Sequence, residues 1–311
     1  MKHRILTALT LTALTLSASP GYATTDSSEA DPALTQRVDA DEVIAPAGKQ
    51  VELDAGHIDL GPKMIDGKWH FMARDDSQAT PVWRQIDDML YRVSDNGILT
   101  VPNDATYSFI KSDDQKVWVV PQQEIPGVVW LGWNTQDPAV TENVNGTVTL
   151  TYGGHDGPGQ FTTFVQAGNF GAPQLLWTSD KKEQQPIDVE LHSHTHANWV
   201  FTKPGIHRVT LTAAATLNDG TTVSETKTLT FAVGSDTDAA TALDETAKLT
   251  SDTTEPSNAP HAEKPRPAQH GPSTLPIVAG LAGIGIVSAL LAIYFFKRRE
   301  SATKKSAKDE L

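Results

Sequence analysis

Ile206-His207-Arg208-Val209-Thr210-Leu211-Thr212-Ala213-Ala214-Ala215-Thr216, then Leu217-Asn218-Asp219-Gly220, then Thr221-Thr222-Val223-Ser224-Glu225-Thr226-Lys227-Thr228-Leu229-Thr230-Phe231-Ala232-Val233, is the stretch that decides the fold. Apolar and polar residues alternate with a period of two, the spacing that puts one set of side chains on a buried face of a strand. Asn218-Asp219-Gly220 interrupts the alternation with residues that accept the positive φ of a tight hairpin. Toward the N-terminus the same pattern recurs at 147–152, 161–165, 175–178, 187–191 and 199–202, with Asn145-Gly146 as a further turn. Short strands at this spacing predict a mainly β domain, an antiparallel β-sandwich of immunoglobulin-like type.

The first half, 38–145, carries weaker strand-like runs at 50–53, 68–72, 107–111, 116–120 and 128–131. They either form a sheet of their own or add strands to the same sandwich. Val82, Ile86, Met89 and Leu90 in 81–91 are spaced for a short amphipathic helix.

Both ends of the chain read differently from its middle. Lys2 and Arg4 precede an apolar stretch over 5–16, and small residues lead to Ala23. That is the form of a secretory signal peptide, 1–23, followed by a linker, 24–37. Residues 275–296 contain no charge and are followed by Lys297-Arg298-Arg299. About 20 apolar residues span a bilayer as a helix, and the basic cluster assigns the tail, 297–311, to the cytoplasm. Leu275-Pro276-Ile277-Val278-Ala279 lacks the Thr-Gly of a cell-wall sorting signal, so the span is read as a retained membrane anchor. Lys308-Asp309-Glu310-Leu311 matches an ER-retrieval sequence but falls on the wrong side of the membrane to act as one. Between anchor and domain, 235–274 is rich in Thr, Asp, Ala, Glu and Pro, the composition of a disordered stalk. The expected working part is an ectodomain over 38–234, displayed outside the cell.

The chain has 311 residues, 39% of them hydrophobic, and no cysteine, so disulfides, thiolate metal sites and cysteine nucleophiles are excluded. Its formal net charge is −13, and the ends hold much of the basic charge, which leaves the middle more acidic still. Such a surface repels phosphate backbones and attracts cations, so no nucleic-acid partner is expected.

Metal chemistry without cysteine falls to His, Asp and Glu. In His192-Ser193-His194-Thr195-His196-Ala197-Asn198-Trp199, read as one strand, His192, His194, His196 and Asn198 share a face. Imidazoles at that spacing can converge on one cation, and zinc, copper, nickel and iron all accept them; a solvated polar strand face is the alternative. Gly56-His57-Ile58-Asp59 places an imidazole and a carboxylate on one face. Their parity continues that of Val51 and Leu53, which buries them unless Gly56 marks a bulge. His207 shares parity with Val209 and Leu211 and reads as a packing residue, as does His70 beside Trp69; His155 falls in a glycine-rich turn.

Catalytic signatures are missing: there is no His-Glu-x-x-His and no Gly-x-Ser-x-Gly, and no enzymatic turnover is expected. Asp75-Asp76, Asp87-Asp88 and Asp113-Asp114 read as solvated turns rather than calcium ligands. Trp118, Trp130, Trp133, Trp177 and Trp199 are core residues or a glycan or haem platform.

Gly56-His57-Ile58-Asp59, Pro121-Gln122, Pro126-Gly127-Val128-Val129-Trp130-Leu131-Gly132-Trp133, Gly157-Pro158-Gly159, His194-x-His196-x-Asn198-Trp199-x-Phe201, Pro204-Gly205 and Phe231-x-Val233-Gly234, in that order, resemble the actinobacterial surface-anchored protein domain, also called choice-of-anchor M. The resemblance spans roughly 50–234. The sequence departs from the family pattern in having His207 where an aromatic, commonly Tyr, is expected, and in adding His192. The resemblance implies a surface protein linked to ABC-type uptake of divalent metals. It also implies one site formed by His57, His194 and His196, to which Asp59 adds a carboxylate; His192, which the family pattern lacks, would enlarge the cluster. Zinc is the expected ion, ahead of manganese and haem iron, with an ABC transporter or its binding protein as partner. The rival reading is an adhesive or ligand-binding module for protein, glycan or haem, in which the histidines are incidental.

Overall fold

The computed structural model describes residues 36–168 and 171–245, with Lys248. The signal-peptide and membrane-anchor expectations, with the cytoplasmic tail and most of both linkers, fall outside them. Among the described residues no helix is long and apolar enough to cross a membrane.

The chain forms β1 (Val43–Ile44), β2 (Val51–Leu53), β3 (Gly56–Ile65), β4 (Lys68–Asp75), β5 (Val82–Gln85), β6 (Met89–Val93), β7 (Ile98–Thr100), β8 (Lys116–Val120) and β9 (Val129–Asn134). A short helix, α1 (Pro138–Asn143), follows, capped by Asp137. The second half contains β10 (Thr147–Asp156), β11 (Phe161–Val165), β12 (Gln174–Thr178), β13 (Gln185–Glu190), β14 (His194–His196), β15 (Asn198–Phe201), β16 (Gly205–Thr216) and β17 (Thr222–Val233). They assemble as three sheets, in the orders β1-β5-β4-β3-β9-β14, β13-β10-β16-β17-β6-β2 and β12-β11-β15-β8-β7. The protein is mainly β, and every sheet takes strands from both halves, so the first half has no separate sheet.

Two of the three sheets are mixed rather than antiparallel. β3 and β9 run parallel, as do β1 and β5, and β6 lies parallel to both β17 and β2. Alternation reports which face a residue occupies and is blind to strand direction; parallel neighbours need a crossover, which the intervening strands supply.

The β16–β17 hairpin forms as its sequence dictates. Leu217 and Thr221 close it, and Gly220 takes φ +85°. His207, Val209, Leu211, Ala213 and Ala215 line its buried face. They meet Phe161, Trp177, Trp199, Phe201 and Phe231, which pack at ring distances of 5.0 to 6.1 Å. Trp133 joins this core. Trp118 is part-buried and donates to Asp95, and Trp130 lies at the histidine cluster, so the five tryptophans form no common platform.

Three local expectations are corrected. Residues 81–91 form β5, a 3₁₀ turn over Ile86–Asp88 and the start of β6 instead of a helix. Pairing with β4 on one side and with β17 and β2 on the other outweighs a weak helical spacing. Residues 107–111 do not form a strand: Asp104 accepts from the Thr106 amide to cap a 3₁₀ turn at Ala105–Tyr107, and Tyr107 and Phe109 pack on Phe164. Finally, the packed domain does not stop at Gly234. Ala239 and Ala242 are buried against Leu90 and Ala232, and Arg208 pairs with Glu245, because the first stalk residues supply small apolar side chains that fit this face.

Candidate metal centre

The site lies on one face of β3, β9 and β14. Asp59 is in register with Gly132, and Gly132 with His196. His57 precedes Asp59 by two residues and His194 precedes His196 by two, so all four side chains project to the same side. Ile58, Leu60, Leu131 and Trp133, of opposite parity, belong to the core beneath. Neighbouring strands are about 4.8 Å apart, so β3 and β14 are about 10 Å apart and their side chains meet only by leaning over β9. Gly132 makes that possible. A Cβ there would lie 2.6 Å from Thr195 O, 2.8 Å from Asp59 Oδ1 and 2.9 Å from His196 Cε1.

The three imidazoles converge through their Nε2 atoms. His57 and His196 are 2.8 Å apart at Nε2, His194 and His196 3.1 Å, and His57 and His194 3.2 Å. Asp59 closes the group, with Oδ2 3.1 Å from His194 Nε2 and Oδ1 3.6 and 3.8 Å from His196 and His57 Nε2. A tetrahedral ion with bonds of about 2.0–2.1 Å sets its ligand atoms about 3.3 Å apart. The observed separations straddle that value. Three nitrogens aimed at one point cannot all hydrogen-bond to one another, since each has a single in-plane proton or lone pair; a shared cation satisfies them together. His57, Asp59, His194 and His196 can therefore hold a metal ion.

The surroundings fix the ring orientations. His57 Nδ1 lies 2.5 Å from Asp76 Oδ1, and as a carboxylate only accepts, Nδ1 carries the proton and Nε2 turns its lone pair inward. Arg74 Nη1 donates to Asp76 Oδ2 at 2.7 Å, and its Nε and Nη2 clamp Glu42. Trp130 stacks on His196 at 4.0 Å and meets His57 edge-on at 4.9 Å, and its Nε1 donates to Gln122 O.

Asp59 is wholly buried, and His194 is the most open of the four at 12%. Burial alone would raise the Asp59 pKa, but the hydrogen bond from His194 and the charges of the three imidazoles hold it well below the usual carboxylate range. For His57, burial is outweighed by Asp76 and Asp59, and the pKa moves up. For His196, burial dominates, neighbouring imidazoles add to it, and the pKa falls to about 3.

His192 is not part of the group. It is exposed in a turn with φ +61°, because 192–199 is not one strand: β14 ends at His196, and β15 begins at Asn198 in another sheet. Asn198 Oδ1 accepts from the Gln122 amide and is no ligand. His207 packs edge-on to Phe201, donates from Nε2 to Lys203 O, and meets His155 Nε2 through Nδ1 at 2.8 Å. Asp76, read as a turn residue, is the partner that sequence reasoning missed. The signal for it was Asp66-Gly67, the two-residue turn joining β3 to β4: counting back from Ile65 opposite Lys68 brings Asp76 opposite His57. Compared with family models, with curated proteins and with solved structures, the chain gives no match.

Proposed function

We propose that this protein is a membrane-anchored surface protein that holds a divalent cation, zinc first, and passes it to an ABC-type uptake system. The site at His57, Asp59, His194 and His196 carries the reading, through the convergence of three Nε2 atoms and one carboxylate over Gly132. Three nitrogens and one oxygen at tetrahedral spacing suit zinc better than manganese, which prefers more oxygen ligands. Charge supports a dication. With neutral imidazoles, the connected groups are three carboxylates, Asp59, Asp76 and Glu42, against the one guanidinium of Arg74, a deficit that two positive charges balance.

The four ligands leave the ion enclosed, which suits capture and hand-over rather than catalysis. The acidic chain raises local cation concentration, and the proposed stalk and anchor at 275–296 would hold the β-rich domain, read as a sandwich of its sheets, within reach of a transporter. The resemblance to choice-of-anchor M domains is the ground for the transporter assignment.

The test is calorimetric titration of zinc into the full chain in detergent after chelator treatment. One tight site in the wild type, with affinity at least about 100-fold weaker in a His194→Ala, His196→Ala variant, supports the reading. A folded wild type that binds no zinc, manganese or iron overturns it and leaves the adhesive module.

A further inference from the structure

Behind His57 stands a chain of buried charge that the four ligands do not use. Asp76 contacts His57 with one oxygen and Arg74 with the other, at 2.5 and 2.7 Å. Arg74 is anchored in turn by Glu42, whose Oε2 also accepts from Trp83 Nε1 at 2.8 Å. Arg74 is 3% exposed and Trp83 fully buried, so the chain is built into the frame of the first sheet rather than laid on its surface. The β3–β4 hairpin holds it in register: Arg74 lies opposite Asp59, and the Asp76 amide donates to His57 O at 3.2 Å.

We propose that Asp76, held by Arg74 and Glu42, is the positioning residue of the metal centre: it fixes the tautomer and orientation of His57 and thereby sets metal affinity. This rests on the metal reading above. A ligating imidazole must present a lone pair, and the nitrogen it presents is decided by what its other nitrogen bonds. Asp76 can only accept, so it keeps the proton on Nδ1 and frees Nε2 for the ion. The contacts of His194 run instead to the other ligands, from its Nε2 to His57, His196 and Asp59. His57 is thus the ligand tied to the frame, and the β14 histidines close on it.

Asp76→Asn is the informative change, since it keeps the shape. The Arg74 guanidinium, a pure donor, claims the amide oxygen and turns the amide NH₂ toward His57. His57 Nδ1 must then accept, its proton moves to Nε2, and the ligand is blocked. The full chain, freed of metal, is titrated with zinc chloride by calorimetry and with cobalt(II) by visible absorption. Asp76→Asn is expected to bind zinc about 10- to 100-fold more weakly and to give an altered cobalt(II) band, with the metal-free thermal midpoint within a few degrees of wild type. Asp76→Glu, which keeps charge and acceptor, is expected to recover part of both. A folded Asp76→Asn variant with wild-type affinity and band overturns the proposal alone. A wild type that binds neither metal overturns it together with the reading on which it rests. Where Asp76→Asn prevents folding, Asp76→Ala takes its place with the same outcomes.

Discussion

Gly132 shows how one missing side chain creates a site. It occupies the middle strand of three, between the ligands of β3 and those of β14, with Thr195 O, Asp59 Oδ1 and His196 Cε1 where a Cβ would be. Two of those three neighbours are backbone carbonyl or a fully buried carboxylate and cannot swing away. Gly132→Ala is therefore expected to cost about 1–3 kcal/mol in denaturant unfolding, as overpacking does. It is also expected to abolish zinc binding, by forcing Asp59 and His196 apart. A variant with wild-type stability and zinc affinity would show that the two strands have slack that these distances deny. The histidine motif alone points to metal; that a glycine decides whether the imidazoles can meet is visible only when three strands lie side by side.

At the scale of elements, β14 is three residues long and, among the described residues, is the edge of its sheet and pairs with β9 alone. It supplies two of the four ligands, and its partners His57 and Asp59 are on β3, one strand beyond. A bound ion would staple the edge strand to the interior of the sheet. Hydrogen exchange of the full chain is expected to slow at 194–196 on adding zinc, while the amides of β16 and β17 stay as they were. Equal protection in chelator and in zinc would mean that β14 needs no staple. Most strands of the second half were legible because alternation and turn residues are local signals: β11 matches its predicted bounds, and β16 and β17 differ from theirs by a single residue. The break at Ala197 was not legible, since a continuous alternation from His192 to Asn198 gives no hint that the chain leaves one sheet for another. Nor was the parallel pairing of β3 with β9, on which the meeting of His57 with His194 and His196 depends; that proximity came from the resemblance, not from periodicity. Asp76 was within reach of hairpin counting, but a pair of aspartates beside a turn is commonplace.

The whole molecule contains a second, unrelated pair of imidazoles, which ties its stability to pH. His207 is fully buried between Phe201 and the Gly157 turn, bonded to Lys203 O and to His155. Burial, aided by the charge of His155, depresses its pKa from 6.5 to about 3; burial lowers that of His155 as well, with Asp156 opposing. Above pH 6.5 both folded and unfolded chains hold His207 neutral, and stability is unaffected. Below it the unfolded chain takes up a proton that the folded chain refuses until about pH 3. Stability is accordingly lost as pH falls through that window, at up to about 1.4 kcal/mol per pH unit for this group. His207→Phe keeps the ring packing and loses two hydrogen bonds, so at pH 7.5 it is expected to be less stable by about 1–3 kcal/mol. Its deficit should shrink as pH falls from 6.5 toward 4, when urea unfolding of the full chain in chelator is followed for both proteins. Parallel stability curves for wild type and variant across that range would place the acid sensitivity in other groups and remove His207 from the account.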